Sequence, residues 1–377
     1  MKKMPSLYEQ VFNYLYIKKN NFQLGNVVIN SYEKIISNYL NKIINYVPVN
    51  QKKCKYAFIN LKYRELMTLA HKDGGAVVIG GGRSFFYAIL KNMSYLSNYE
   101  FVELIVRSWV MHDQSCIHFC VNKICEILKN SNIEMVIVSN DSLPLERVFI
   151  AAARKASIPA VCFQHGLFSL DGGELNDGKY ADTICVYDKY QSQVVMQTGA
   201  KSAYIFGFYR KIKNKKMKSG KKIVCILGQP WGEYYGDYKY KYFEYLKKII
   251  TFLNKSQIEW RYKPHPSEKI IYQRSDLISH NLERCDINKS IKLFDVFVSL
   301  SSTALLEATL AGKIAIQIRC ESILCDDFQK YGYCYSLDVN ELDSKFIEIY
   351  EKSRGLDSDM QKIHLSVRWE RFIKNIL

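Results

Sequence analysis

Short apolar runs that alternate with longer amphipathic segments are the feature that most limits how this chain can fold. In the first half the apolar runs lie at residues 76–79, 101–106, 133–139 and 160–163. Amphipathic helices are predicted at residues 117–129 and 145–155, with apolar residues on one face. Short buried strands that alternate with helices are typical of a parallel sheet with helices on both faces. The sequence therefore predicts an α/β fold.

The same pattern restarts after a basic segment, residues 211–222, which has no apolar periodicity and is predicted to be a linker. Strands are then expected at residues 223–227, 258–262, 295–300 and 315–318, with a helix at 240–254. We therefore expect two Rossmann-like domains that face each other across a cleft. The predicted parts are an N-terminal domain (1–210, its first 70 residues a helical layer), the linker (211–222), a C-terminal domain (223–358) and a final helix (359–377).

Composition narrows the classes of partner. The 377-residue chain has a formal net charge of +16, which fits nucleic acid, an anionic membrane surface or anionic small substrates. The sequence has no zinc finger, RNP-type sequence or basic zipper, so nucleic acid is not expected. The 11 cysteines lie singly in apolar runs, which predicts reduced core residues of a cytoplasmic protein and no metal site. No apolar run approaches the roughly 20 residues of a membrane-spanning helix.

One motif places a histidine at the tip of a strand. Residues 258–262 alternate like a strand and are followed by Lys263, Pro264, His265 and Pro266. Proline fixes φ and cannot continue a ladder, so the histidine is expected on a rigid turn at the sheet edge. An imidazole beside a lysine suits an anionic ligand such as a phosphate. The structural alternative is a surface turn with a solvated histidine.

A second motif joins a buried strand to a helix through the hydroxyl-rich turn Ser301, Ser302 and Thr303. Free N–H groups and the helix dipole at such a turn favour an anion. A third turn, Gly228-Gln229-Pro230, follows the strand at residues 223–227.

In the first half, candidate residues also follow predicted strands. Asp141 follows the strand at 133–139, and Gln164 and His165 follow the strand at 160–163. Ligands of parallel sheets bind beyond the carboxyl ends of the strands, although Asp141 is also well placed to cap the next helix.

A glycine-rich turn with Gly81, Gly82 and Arg83 follows the strand at 76–79. It matches neither dinucleotide-binding nor P-loop spacing, so a phosphate loop and a tight structural turn both remain open.

Taken in order, the motifs of residues 223–320 resemble the second domain of bacterial sialyltransferases with the GT-B fold. The resemblance implies that His265 contacts the donor phosphate of CMP-sialic acid, with Lys263 and Pro266 beside it. It also implies that Ser301, Ser302 and Thr303 bind the same phosphate. Finally, it implies that Glu307 contacts the donor ribose, and that Gly228, Gln229 and Pro230 belong to the donor site.

The first domain departs from that pattern. Sialyltransferases carry an acidic pair before a glycine, whereas this chain has Gln164-His165-Gly166. A His-Gly pair at this strand end is similar to that of polymerases of teichoic acid and related capsules, which use CDP-glycerol or CDP-ribitol. It also resembles capsule transferases that use CMP-Kdo.

The leading hypothesis is an inverting transfer of sialic acid, or a related 2-keto acid sugar, from a CMP-sugar to a hydroxyl of a bacterial surface glycan. His265 would stabilise the leaving phosphate, and His165, slightly favoured over Asp141, would act as general base. No metal or cofactor is expected. We expect the protein to be cytoplasmic and to attach peripherally to the inner face of the inner membrane. The alternatives are polyol-phosphate transfer from CDP-glycerol or CDP-ribitol, and a non-catalytic nucleotide- or glycan-binding protein.

Overall fold

The computed structural model describes most of the chain beyond its N-terminal segment. The described residues are 6–12, 53–60, 63–168, 180–210, 212, 221–230, 238–266, 268, 277–323, 325–352, 355–356 and 363–377. The chain divides into two compact units. The first unit comprises Met1–His165, Glu174–Arg210 and Ile363–Leu377, and the second comprises Gly166–Gly173 and Lys211–Lys362.

The first unit is built on a seven-stranded sheet in the order β3-β2-β1-β4-β5-β6-β7, and all neighbouring strands are parallel. The strands are β1 (Tyr56–Ile59), β2 (Ala76–Gly80), β3 (Ser94–Ser97), β4 (Met135–Val138), β5 (Ala160–Phe163), β6 (Thr183–Val186) and β7 (Ala203–Ile205). The central strands β1, β4 and β5 are buried at every position. Such strands read as continuous apolar runs because helices cover both faces of a parallel sheet.

The helices of the first unit connect these strands. They are α1 (Arg64–Gly74), α2 (Gly82–Leu90), α3 (Tyr99–Met111), α4 (Gln114–Asn130), α5 (Pro144–Lys155) and α6 (Lys189–Gln197). The strand predicted at residues 101–106 is wrong, because these residues lie within α3. Phe101, Ile105 and Ser108 are its buried residues, and their spacing of four and three is that of a helix.

The helical layer predicted for residues 1 to about 70 also needs correction. Strand β1 lies inside this range and pairs with both β2 and β4, so it is a central strand of the sheet. Residues 7–12 are helical, and Phe12 packs against Trp109 at a ring-centroid distance of 5.0 Å. The predicted helical run at residues 32–44 lies outside the described residues.

The second unit contains a five-stranded parallel sheet in the order β12-β11-β10-β8-β9. Its strands are β8 (Val224–Leu227), β9 (Trp260–Lys263), β10 (Val296–Ser299), β11 (Ile314–Arg319) and β12 (Tyr335–Asp338). Its helices are α7 (Tyr238–Lys255), α8 (Ile287–Leu293), α9 (Ala304–Leu310) and α10 (Ile347–Glu351). One face of the sheet packs on the apolar side of α7 in a single buried cluster.

The last helix, α11 (Leu365–Ile376), groups with the first unit. Arg368 donates from its guanidinium to the backbone carbonyls of Phe206 and Phe208. Trp369 meets the ring of Tyr56 edge-on at 5.4 Å. The chain therefore returns to its first unit after completing the second, a return that no sequence motif indicates.

All 11 cysteines are free thiols, nine of them buried. Within the described part of the chain, no helix is both long and apolar enough to cross a bilayer.

Candidate functional site

Three loops of the second unit leave the same edge of its sheet. Strands β8, β9 and β10 are parallel neighbours, so their carboxyl ends lie side by side. The loop Gly228–Pro230 follows β8, Pro264–Pro266 follows β9, and residues 300–303 follow β10. The motifs that lie far apart in the sequence are therefore neighbours, at the edge where parallel sheets bind their ligands.

The His265 turn is held by a buried carboxylate. Glu268, 6% exposed, accepts a hydrogen bond from the backbone N–H of His265 at 2.9 Å. Its own N–H donates to the carbonyl of His265, also at 2.9 Å. Its second carboxylate oxygen accepts from the hydroxyl of Tyr262 at 2.6 Å. Strand β9, the turn and Glu268 are thus tied together at the point where His265 leaves the sheet.

The His265 side chain is partly buried, and Pro266 beside it is exposed. Burial, and secondly the positive charge of Lys263, lower the pKa of the His265 imidazole below its ordinary value of 6.5. The histidine therefore carries little charge near neutral pH.

Gly228 lies against the same buried pair. A Cβ at this position would lie 2.3 Å from Oε2 of Glu268 and 2.5 Å from the hydroxyl of Tyr262. The Gly228 N–H donates to the carbonyl of Lys263 at 2.8 Å. Only glycine fits here without displacing the Tyr262–Glu268 hydrogen bond.

Gln229 and Ser301 form a reciprocal pair between the ends of β8 and β10. The Gln229 amide nitrogen donates to Oγ of Ser301, and the Ser301 N–H donates to the Gln229 amide oxygen, both at 3.0 Å. The N–H of Gln229 donates to the hydroxyl of Tyr242 at 2.9 Å. Gln229 is 9% exposed and Pro230 is buried, so these two residues lie beneath the surface of the loop.

The hydroxyl-rich turn leads into α9, a helix of two turns. Oγ of Ser302 accepts from the N–H of Ala304 at 3.3 Å. Oγ1 of Thr303 accepts at 2.9 Å from the N–H of Leu167, a residue that groups with the second unit. Glu307, predicted to contact a ribose, is 5% exposed within α9.

In the first unit, Asp141 is a buried structural acceptor. It is 3% exposed, and Oδ2 accepts from the N–H groups of Tyr180 at 2.7 Å and Ala181 at 3.2 Å. The expectation that Asp141 caps the following helix is wrong, because the N-cap of α5 is Leu143. The carboxylate instead ties the end of β4 to the segment that enters β6.

Gln164 is also buried and committed to the scaffold. Its side-chain oxygen accepts from the N–H of Tyr187 at 2.8 Å, and its amide nitrogen donates to the side chain of Gln191. It is 0% exposed, so it cannot face a ligand directly. It fixes the backbone from which the next residue, His165, emerges partly exposed.

Two further residues near His165 were not predicted. Tyr63, 1% exposed, donates its hydroxyl to the carbonyls of Phe163 at 2.5 Å and Ser139 at 3.2 Å, and so bridges the ends of β5 and β4. Burial raises the pKa of the Tyr63 phenol well above its ordinary value, so the group stays a donor. Arg210 donates to the carbonyl of His165 at 3.5 Å. Neither residue belongs to a sequence motif.

The glycine-rich turn between β2 and α2 is tightly packed. A Cβ at Gly80 would lie 2.1 Å from Oγ of Ser84, and one at Gly81 would lie 3.1 Å from the hydroxyl of Tyr99. Gly82 begins α2, and Arg83 is exposed on it. These contacts explain Gly80 and Gly81 by packing alone. They give no support to a phosphate loop.

Among the side chains that the structure describes, no three His, Cys, Asp or Glu residues are grouped as ligands of a metal ion.

No protein-family model matches the chain, and no curated protein matches it. Solved structures do resemble it in fold. S. aureus MnaA in its co-structure with UDP has a TM-score of 0.57 at 14% identity and covers 86% of this chain and 98% of its own. UDP-GlcNAc 2-epimerase from Methanocaldococcus jannaschii, in complex with UDP-GlcNAc and UDP, has a TM-score of 0.56 at 11% identity, covering 85% and 99%.

A glycosyltransferase from Rickettsia africae ESF-5 has a TM-score of 0.53 at 12% identity and covers 86% of this chain and 94% of its own. At such low identity the likeness establishes the fold alone. Two Rossmann-like α/β units in one chain, together with these neighbours, show that the protein has the GT-B fold.

Proposed function

We propose that this protein is a glycosyltransferase that takes a nucleotide-activated sugar as donor and binds its phosphate at the carboxyl edge of the second sheet. The observation that carries the proposal is that the loops of His265, Ser301 and Ser302 leave the same edge of the sheet, where Glu268 and Gln229 hold them by hydrogen bonds. A partly buried imidazole and hydroxyl groups on rigid loops suit a phosphate that gains charge as it leaves.

Two proteins of similar fold hold UDP, which supports a nucleotide sugar as the donor class. For the donor itself we propose a CMP-activated 2-keto acid sugar, sialic acid first, on the strength of the motif resemblance at residues 223–320. UDP-GlcNAc is the competing donor to be tested beside it.

The chemistry proposed for the second unit is electrostatic stabilisation of the leaving group. When the glycosidic C–O bond breaks, the bonding electrons pass to the phosphate oxygen. Each preorganised donor aimed at that oxygen supplies on the order of 2.7–4 kcal/mol, if values for oxyanion holes apply. Protonation of His265 as the anion binds would add a charge-assisted hydrogen bond.

For the general base we propose His165 and give Asp141 a supporting role. The Asp141 carboxylate is buried and accepts two backbone N–H groups, so taking a proton from an acceptor hydroxyl would break those bonds. His165 is partly exposed at the end of β5 on a backbone held by Gln164. A neutral imidazole accepts a proton readily near neutral pH.

We also propose that the acceptor is a surface glycan built at an anionic membrane, to which the protein attaches peripherally. Helix α2 exposes Phe86 (56%), Ile89 (57%) and Leu90 (81%), and Arg83 and Lys91 are exposed beside them. Apolar residues flanked by basic ones are typical of helices that lie in the interface of an anionic bilayer.

Vesicle flotation tests the attachment. Phe86→Ser with Leu90→Ser should weaken binding to vesicles containing phosphatidylglycerol, and moderate salt should weaken binding of the unaltered protein. Met196→Ser is a matched control, because Met196 is also exposed (46%) but lies on α6. Equal binding by the α2 variant and the control would argue against the surface.

The decisive experiment is a donor screen with product identification. Thermal shifts with CMP, CDP, UDP and GDP identify the nucleotide, and incubation with CMP-sialic acid, UDP-GlcNAc and CDP-glycerol identifies the reaction. A new glycosidic bond supports transfer, a phosphodiester indicates polyol-phosphate transfer, and an altered nucleotide sugar without acceptor indicates epimerisation.

His265→Ala should remove nearly all turnover of the active donor while the protein stays folded. His118→Ala, a change at an exposed histidine of α4, should have no effect. Full activity of the His265 variant would contradict the proposed site, and nucleotide binding without turnover would favour a binding protein.

A further inference from the structure

Glu268 stands out because it is a buried carboxylate whose hydrogen bonds are directed at one turn. It is 6% exposed, and both of its oxygens accept hydrogen bonds, from the hydroxyl of Tyr262 and from the N–H of His265. Burying a carboxylate is costly unless such bonds compensate for lost water. A surface turn would not require this arrangement.

The contacts fix the backbone of His265 on both sides. The N–H of His265 donates to the Glu268 side chain, and its carbonyl accepts from the Glu268 N–H, each at 2.9 Å. Pro264 and Pro266 restrict φ on either side of the histidine. The position of the His265 Cα, and therefore the reach of its imidazole, depends on where Glu268 lies.

Tyr262 and Gly228 fix Glu268 in turn. The Tyr262 hydroxyl donates to Oε1 at 2.6 Å, and burial raises the pKa of this phenol well above its ordinary value, so it remains a donor. The Gly228 backbone lies so close to Oε2 that no side chain fits between them. Glu268 is therefore held by the ends of both β9 and β8.

We infer that Glu268 is the positioning residue of this site: it holds the His265 turn through hydrogen bonds to the His265 backbone and does not itself touch the donor. The inference rests on the proposed role of His265 in binding the donor phosphate. It adds a residue that the motif resemblance did not assign.

Replacing Glu268 separates positioning by hydrogen bonds from action through charge. Glu268→Gln keeps the shape and an acceptor for the His265 N–H, while its amide nitrogen can donate to the Tyr262 oxygen, because a hydroxyl both donates and accepts. Glu268→Ala removes both acceptors. Glu268→Asp keeps the charge but withdraws the carboxylate by one methylene group.

We expect kcat to fall about 10- to 100-fold in the Ala and Asp variants, since small displacements of a reacting group have effects of this size. The Gln variant should stay within about threefold of the unaltered protein, in line with a retained hydrogen-bond geometry. If the Ala variant does not fold, the Asp and Gln variants still decide the matter. A Gln variant as impaired as the Asp variant, or an Asp variant with unaltered kcat, would overturn the inference.

A second readout requires no donor. The imidazole ¹H–¹³C resonances of His265, assigned with the His265→Ala variant, should move in the Ala and Asp variants and keep their positions in the Gln variant. Unmoved resonances in the Asp variant would refute the positioning role even if no donor were known. By contrast, a fully active His265→Ala variant would refute the proposed function and leave this structural test intact.

Discussion

Gly228→Ala is the sharpest test of how the second unit is packed. The added Cβ would lie 2.3 Å from Oε2 of Glu268, 2.5 Å from the hydroxyl of Tyr262 and 2.8 Å from Cζ of the same ring. Carbon does not approach these atoms so closely in folded proteins. Because Tyr262 is 0% exposed and Glu268 is 6% exposed, neither side chain can swing into solvent to make room.

The loss of stability can be estimated from the contacts that the new methyl group would disrupt. Overpacking a buried site by one methyl group destabilises by about 1–3 kcal/mol. Breaking the hydrogen bond between Tyr262 and the carboxylate adds about 1.5–3 kcal/mol, the usual range for bonds to charged groups. Partial relaxation reduces the sum, so we expect about 2–4 kcal/mol, or a fall of about 5–15 °C in the Tm of a unit of this size.

Differential scanning calorimetry of the variant measures this loss, and two comparisons sharpen it. Gly332→Ala introduces a methyl group into open space at a φ of +71°, so only backbone strain of about 1–2 kcal/mol is expected. Gly228→Ala combined with Tyr262→Phe should cost less than the sum of the single changes, because one clashing atom is gone. A Gly228→Ala protein that melts within about 1 °C of the unaltered protein would refute this packing of Gly228 against Tyr262 and Glu268.

Four further outcomes are expected. Because burial and Lys263 lower the pKa of His265, nucleotide binding should be accompanied by uptake of a proton, and it should strengthen as pH falls below about 7. Calorimetry in buffers of different ionisation enthalpy measures the proton uptake, which His265→Gln should abolish. Because the pKa of His265 is lower in the folded than in the unfolded protein, its contribution to stability is fully present above about pH 6.5 and is lost as pH falls through the folded-state pKa. His165→Asn should lower kcat about 10²–10⁴-fold at unchanged Tm. Asp141→Ala should instead lower the free energy of unfolding by about 1–3 kcal/mol, because the N–H groups of residues 180 and 181 lose their acceptor. Turnover of a CMP-sugar should persist in excess EDTA, because a monophosphate leaving group needs less neutralisation than a diphosphate; loss of turnover that Mg²⁺ restores would contradict this.

Most of the strands that are buried on both faces were predicted from the sequence, whereas β1, which is also buried at every position, was missed. Strands β4, β5, β8 and β10 are apolar runs with no exposed position, which a parallel sheet requires. Strand β3, Ser94–Ser97, lies at the edge of its sheet with two polar residues among four, so it gave no such signal. The strand at residues 101–106 was predicted wrongly because five of these six residues are apolar and three of them are β-branched, a run that suits either element. Tertiary packing decided for a helix.

Residues of the candidate site were predictable from the sequence where they directly follow a predicted strand. Residues that follow parallel strands must meet at one edge, so the nearness of the three second-unit loops required no coordinates. The role of Glu268 was not predictable, because its burial depends on Tyr262 on one strand and on Gly228 on the neighbouring strand. The expectation that Asp141 caps the next helix was wrong for a similar reason, since the hydrogen-bond partners of its carboxylate, residues 180 and 181, are about 40 positions away.

The hydrogen bond from the Gln229 side chain to Ser301 should determine where the Ser301 hydroxyl proton points. Ser301 Oγ accepts from the Gln229 amide, which leaves the hydroxyl proton directed away from Gln229 and available to an anion. In Gln229→Glu the carboxylate only accepts, so it draws that proton to itself and adds a negative charge beside the phosphate position. In Gln229→Met the hydroxyl loses its orienting partner but keeps its proton.

We therefore expect nucleotide affinity to fall about tenfold or more in the Glu variant and less in the Met variant, as losing one charge-assisted hydrogen bond implies. Titration calorimetry with the nucleotide found in the donor screen measures both, and far-UV circular dichroism confirms folding. If the Met variant lost more affinity than the Glu variant, Gln229 would be a direct ligand of the donor, and its pairing with Ser301 would have to open on binding.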